Sequence, residues 1–334
     1  MVFLFRDKSV INILFLAMLS MVVHFHLFFQ APVVLASAND GFFAIFLRRW
    51  FTGLDPNLLF LIYLLTILVQ AIRLNMLLLE LKMFPQSGYT VAMSYILLSG
   101  LMTQWCAITP ALFANFLLIW LFVKITRLFN QANPKNLLFN IGLIIGTTVL
   151  CYHPTAIMII VVLFSLAIIR PFKLQEWFIL LIGIILPYYF LGAGLFLNDQ
   201  PGSITRFLPN PGLVLPVKVA EPPLIVSSSL ILLSLLSGII CWQQFNSRLV
   251  IQIRKNWSVM LLMGLILLAV PFIFVDAGIQ AAFLCLVPMS AFVSNSFSYP
   301  KRLVFPNLLF FLLLGGALYN NWQVLHYNWP VFKF

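Results

Sequence analysis

Residues 56–79 read PNLLFLIYLLTILVQAIRLNMLLL. As a helix with a rise of about 1.5 Å per residue, this run covers roughly 36 Å, enough to cross a hydrocarbon core of about 30 Å. Its start carries matching chemistry. Asp55 stands before Pro56, a capping side chain ahead of a proline whose missing N–H would have no intrahelical partner anyway. Thr109-Pro110 and Asn133-Pro134 repeat the pattern. Similar apolar runs recur along the chain. Together they predict an all-α polytopic bundle of about eleven transmembrane spans, at 10–31, 56–79, 88–105, 110–128, 136–152, 154–170, 175–197, 224–245, 257–275, 277–298 and 303–323. The pairs meeting at Tyr152–Pro154 and Asp276–Gly278 have the shortest connections, and each admits a kinked or re-entrant alternative.

Composition agrees. Of 334 residues, 63% are hydrophobic and only 8% charged, with a mean hydropathy of +1.07. Soluble chains carry about 25% charge. A surface this poor in charge faces lipid, where backbone polar groups must be satisfied within the chain, by helices or a closed barrel. Barrel strands would be alternating segments of about ten residues, and these runs are continuous. The segment from Val10 to Gln30 is too long for a signal-peptide core, so it reads as the first span, and Ala36-Ser37-Ala38 is not taken as a cleavage site. The chain is read as one integral membrane domain over 1–334.

Orientation follows from the basic residues. With the N-terminus inside and eleven spans threaded, the inner segments hold Arg6, Lys8, Lys82, Lys124, Arg127, Lys135, Arg170, Lys173, Arg248, Arg254, Lys255, Lys301 and Arg302. The outer segments hold Arg48, Arg49, Arg206, Lys218 and Lys333, and Arg73 falls within a span. This is the positive-inside pattern, and it puts the C-terminus outside. The net charge of +11 is thereby explained without nucleic acid as a partner. Trp50, Trp105, Trp322 and Trp329 fall at the outer boundary and Trp177, Trp242 and Trp257 at the inner one, as interfacial belts favour, with Trp120 alone in mid-span.

Two outer loops are long. The first, 32–55, contains NDGFFAIFLRRWFTGLDP (39–56), which reads as an amphipathic helix in the interface that Gly53 is placed to end. The second, 198–223, is rich in proline and is expected to be extended. Asp40 is the candidate catalytic carboxylate, with helix N-capping as its structural alternative. Arg48, Arg49 and Arg206 are candidate phosphate ligands, since guanidinium groups bind phosphate bidentately; general attraction to anionic headgroups is the alternative. Lys218 and Glu221 share that ambiguity. If both loops fold over one cavity, these charges converge. Arg73 and Glu80 fall within about 20° of each other on the second span, with Gln70 about 60° away. That stripe either faces the bundle interior, making Arg73 a candidate substrate ligand, or snorkels to the cytoplasm. His24 and His26, two residues apart, fall on different helix faces and are poorly placed to chelate one metal, which favours a structural or interfacial role. His153 suits a capping role, and Asp276 could join Asp40. Asn115 and Asn140 suit helix–helix hydrogen bonds. Cys106, Cys151, Cys241 and Cys285 are scattered singly, so no metal or disulfide framework is indicated. No cofactor motif is present: Walker A, GxGxxG, HExxH and GxSxG are all missing.

The run from Gly142 to Pro187, with Gly142 and Gly146, the Arg170-Pro-Phe turn, Glu176-Trp177 and Gly183 before Pro187, resembles an uncharacterised family of polytopic inner-membrane proteins of Bacteroidota. That resemblance implies placement in a bacterial inner membrane and no activity. A second resemblance is architectural. The inside N-terminus, an acid soon after the first span, an interfacial helix and a long later outer loop are similar to the C-type glycosyltransferases, which use polyprenyl-phosphate-linked sugars. It implies a catalytic role for Asp40 alone, and the chain departs from that group in lacking a second acid beside it. The expected function is cell-envelope work at the outer leaflet on a lipid-linked glycan. The alternatives are a non-catalytic membrane subunit that docks other membrane subunits, and a transporter.

Overall fold

The computed structural model describes residues 1–37, 40–213 and 222–328. The helices are α1 (Val2–Arg6), α2 (Ile11–Val23), α3 (Phe42–Trp50), α4 (Pro56–Glu80), α5 (Thr90–Ser99), α6 (Pro110–Thr126), α7 (Lys135–Cys151), α8 (Met158–Ile169), α9 (Leu174–Leu197), α10 (Pro222–Asn246), α11 (Ile251–Leu267), α12 (Val270–Ile273), α13 (Leu286–Ser298) and α14 (Val304–Asn328). No strand occurs among the described residues; one isolated bridge joins Val34 and Ile108.

Among the described residues, seven segments are long and apolar enough to cross a membrane: Pro56–Glu80, Pro110–Phe129, Leu174–Leu197, Pro222–Asn246, Ile251–Ile273, Ala277–Ser298 and Val304–Trp322. They coincide with seven of the eleven expected spans. The other four expected spans contain apolar helices that are shorter, at Ile11–Val23, Thr90–Ser99, Lys135–Cys151 and His153–Ile169. The span expected at 88–105 is helical only over α5, every residue of which is buried. The span expected at 277–298 begins as a 3-10 segment, Val275–Cys285, broken at Gly278 (φ +50°), and is α-helical only from Leu286. Irregular backbone at such depth is tolerated where protein, not lipid, surrounds it.

α5 and α13 form the centre, with all thirteen residues of α13 buried. Small hydroxyl residues hold them together: the Thr90 Oγ1 lies 3.2 Å from Ser294 Oγ and 2.7 Å from Ser298 Oγ. A polar chain crosses the core beside them. Gln70 Nε2 donates to Leu112 O at 2.6 Å, Tyr95 OH donates to Gln70 Oε1 at 2.7 Å, and Asn115 Nδ2 donates to Phe283 O at 3.1 Å. Such bonds satisfy polar groups between apolar helices. Asn115 thus serves as expected, whereas Asn140 lies on an exposed face. Trp105, Trp242 and Trp257 are buried among protein side chains. Trp242 and Trp257 pack on Phe292, with ring centroids 5.5 and 5.1 Å away. Trp120 is exposed, as Trp50 and Trp322 are, and lies beneath the Lys124 ammonium.

α9 is peripheral; Glu176, Leu180, Gly183 and Ile184 are its buried residues. It lies against α7 through glycines. A Cβ on Gly142 would come within 2.3 Å of Leu180 O, and one on Gly183 within 2.6 Å of Phe139 O. At the start of α9, Arg170 clamps the chain. Its Nε meets Glu176 Oε2 at 3.1 Å, and its Nη1 donates to Leu128 O at 3.1 Å and Gln131 O at 2.7 Å. His24 and His26 are both buried and bonded to different partners, Ser20 O with Ser99, and Asn321.

Candidate functional site

The first long loop is pinned to the bundle before α3 begins. Leu35 N donates to Ile108 O and Ile108 N to Val33 O, each at 3.0 Å. Gly41 then takes φ +101°, a conformation L side chains rarely adopt. A Cβ there would meet Leu150 O at 2.6 Å and Cys151 O at 2.9 Å, so the backbone rests directly on the end of α7. His153 N donates to Asp40 O at 3.2 Å, closing the seam. His153 therefore contributes to this region through its backbone.

From Gly41 the chain enters α3, the expected interfacial helix. It is shorter than the run that predicts it, and ends at Trp50 with Phe51 as its C-cap. Gly53 takes φ +97° in the following turn. Gly41, Ala44, Ile45 and Arg48 fall at i, i+3, i+4 and i+7, one helical face. That face lines a cavity of about 550 Å³. Across it stands the end of α9 and the segment after it. The expected extended loop is here a 3-10 helix, Pro201–Phe207, with Pro201 in its first turn. Proline is compatible there because no internal N–H bond is lost. Ser203 and Arg206, three residues apart, align along such a helix. Leu195, Gln200, Ser203, Arg206 and Phe207 complete the wall. Phe42 stacks on Phe207, centroids 4.8 Å apart at 24°, fastening the two long loops together.

Arg48 and Arg206 thus line the same cavity. The Arg48 Nε donates to Ala36 O at 3.0 Å, which sets the guanidinium against the wall. Arg49 is exposed on α3, about 100° round the helix from Arg48, and is not among the lining residues. Asp40 is buried, 7% exposed; Ser37 and Gly41 on either side of it in the chain line the cavity, and Asp40 itself is not among the lining residues. It does not cap α3: the N-cap is Gly41, and Asp40 Oδ2 instead accepts from Ser37 N at 2.9 Å. Tyr152 is within electrostatic range of its carboxylate. Arg73 is remote. It pairs with Glu80 at 3.7 Å on a face where both side chains are at least half exposed. Gln70 on the same helix turns inward and is fully buried, so the three do not form one stripe. Lys218, Glu221, Trp329 and Lys333, and the Asp276 side chain, lie outside the described residues.

Gln200, Ser203 and Phe207 are site residues that sequence reasoning passed over. The spacing of Ser203 and Arg206 was the available signal, masked by the prolines around it. Comparison of the chain with family models, with characterised proteins and with solved structures returns no match.

Proposed function

We propose that this chain is a bacterial inner-membrane protein of eleven spans, N-terminus inside and C-terminus outside, that binds a phosphate-bearing lipid between α3 and the 201–207 helix at the outer leaflet. One observation carries the reading: Arg48 and Arg206, 158 positions apart, line one cavity. Two guanidinium groups can divide the charge of a phosphate or diphosphate between them. Exposed apolar side chains surround that position, among them Phe46 and Trp50 on α3 and Phe196 and Leu197 on α9, and suit a lipid tail leaving sideways.

Glycosyl transfer from a polyprenyl-phosphate-linked sugar is the chemistry this arrangement would serve. An acceptor hydroxyl would give its proton to Asp40 as its oxygen bonds to the anomeric carbon. The bond from that carbon to the phosphate oxygen would break, and Arg48 and Arg206 would take up the charge developing on the leaving phosphate.

Two measurements test the reading separately. Purified protein should retain polyprenyl phosphate, and the R48Q/R206Q double variant should bind it at least about tenfold more weakly, the scale of losing a charge-assisted hydrogen bond. Asp40→Asn should keep that binding and abolish transfer. Undiminished binding in the double variant would remove the site; undiminished transfer in Asp40→Asn would remove the chemistry but leave the site. A second reading, a non-catalytic subunit, is favoured by the lipid-facing α9, which buries few of its residues. It predicts partners that co-purify with Asp40→Asn as well as with the native chain.

A further inference from the structure

α4 carries the chain about 37 Å from the α3 end of the bundle to the opposite end. There it closes on a Schellman arrangement: Met83 N donates to Leu78 O at 3.0 Å, and Lys82 N donates to Leu79 O at 2.9 Å. This motif needs a left-handed residue just past the C-cap, a position glycine fills without steric cost. Here that residue is Lys82, at φ +54°. A lysine near a helix C-terminus does complement the helix dipole. A neighbouring right-handed or extended position would supply that benefit without the strain. The same turn closes α9 with Asp199 as its left-handed residue, so it is the surroundings of Lys82 that set it apart.

Lys82 lines a cavity of about 560 Å³. Its polar wall comprises Lys8, Glu80, Lys82 and Ser87, and Phe84 and Pro85 belong to its apolar wall. Glu80 is engaged by Arg73 at 3.7 Å. Neither Lys8 nor Lys82 forms an ion pair among the described residues, so the cavity presents two ammonium groups and one hydroxyl beside the Glu80 carboxylate, whose charge Arg73 offsets from outside the wall. The walls are fixed in advance. Asn12 Nδ2 donates to Leu4 O at 2.6 Å and Asp7 O at 2.7 Å, holding the bend that presents Lys8. Tyr89 N donates to Phe5 O at 2.6 Å, and Asn75 Nδ2 to Gly88 O at 2.9 Å, tying the opposite wall to the N-terminal segment and to α4. A preformed pocket with surplus positive charge at the edge of an apolar bundle suits a phosphate monoester or diester.

We propose that this cavity binds a phosphate-bearing anionic headgroup, with Lys8 and Lys82 as its counter-charges. The site stands apart from the Arg48–Arg206 cavity and does not depend on the function proposed for it. The test is native mass spectrometry of the full chain in detergent, carried out in the R48Q/R206Q background so that the other cavity does not contribute. Phosphatidylglycerol should be retained and zwitterionic phosphatidylcholine should not. Lys82→Gly and Lys8→Gln should each lower the bound fraction about tenfold. Lys82→Gly should do so while the melting temperature holds or rises, because glycine relieves the left-handed strain. Displacement by an equal concentration of glycerol 3-phosphate would support the proposal with a soluble phosphate ester as occupant. Failure to displace would support it with a lipid. Unchanged retention in both lysine variants, or equal retention of phosphatidylcholine, would overturn it. So would loss of binding accompanied by a fall in melting temperature in Lys82→Gly, since Lys82 would then be structural.

Discussion

Arg48 shows how far a single residue can be read. Its phase relative to Gly41, Ala44 and Ile45 follows from helical periodicity, which also separates it from Arg49. That much was legible. Arg206, and its convergence with Arg48 if both long loops share one cavity, are legible as well; the 3-10 turn that presents Arg206 is not, because an extended chain is the natural expectation in a proline-rich segment. The capping alternative for Asp40 fails for a similar reason. The left-handed Gly41 takes the capping position and turns Asp40 back onto Ser37. In the core, Gln70 accepts from Tyr95 OH and donates to Leu112 O, with no exposed surface of its own. Gln70→Leu leaves the Tyr95 hydroxyl without that acceptor inside an apolar bundle. It should cost about 1–3 kcal/mol, read as a lower melting temperature in detergent, while Thr147→Val on an exposed face changes little.

Among elements, the α7–α9 pair is held by what is missing from its side chains. Gly183 sits so close to α7 that a single methyl group would strike the Phe139 carbonyl. Gly194, on the same helix, has nothing within 4 Å of where its Cβ would be. The two substitutions should therefore have opposite signs. Gly194→Ala should stabilise by up to about 1 kcal/mol through helix propensity. Gly183→Ala should destabilise by about 1–3 kcal/mol through overpacking. Thermal unfolding of the two variants side by side checks this, and equal effects would show that α7 and α9 are not in such close contact. The long spans were legible because hydropathy and length measure the same thing in lipid. The short helical extent of α5 was not, whereas the kink at Asp276–Gly278 is one of the alternatives its short connection admits, and the break at Gly278 agrees with it. Hydropathy does not distinguish a residue facing lipid from one facing another helix, and a buried ten-residue helix looks like part of a span. The indoles of Trp242 and Trp257 pack into the protein core, a contact that hydropathy does not reveal either.

At the scale of the whole molecule, the fold brings the two long loops together at one end of the bundle and the N-terminal bend and the end of α4 together at the other. Each end holds a cavity with two cationic side chains on its wall. The central claim is that the α3 cavity is a single site built from both loops and open to the outer face. Ile45 and Ser203 line it from opposite sides. In a chain with its four native cysteines replaced, Ile45→Cys and Ser203→Cys should be joined by a short, membrane-impermeant bis-thiol reagent added to intact spheroplasts. That result would establish at once that the loops meet and that they meet outside. Cross-linking confined to inverted vesicles, or none from either side, would contradict the account.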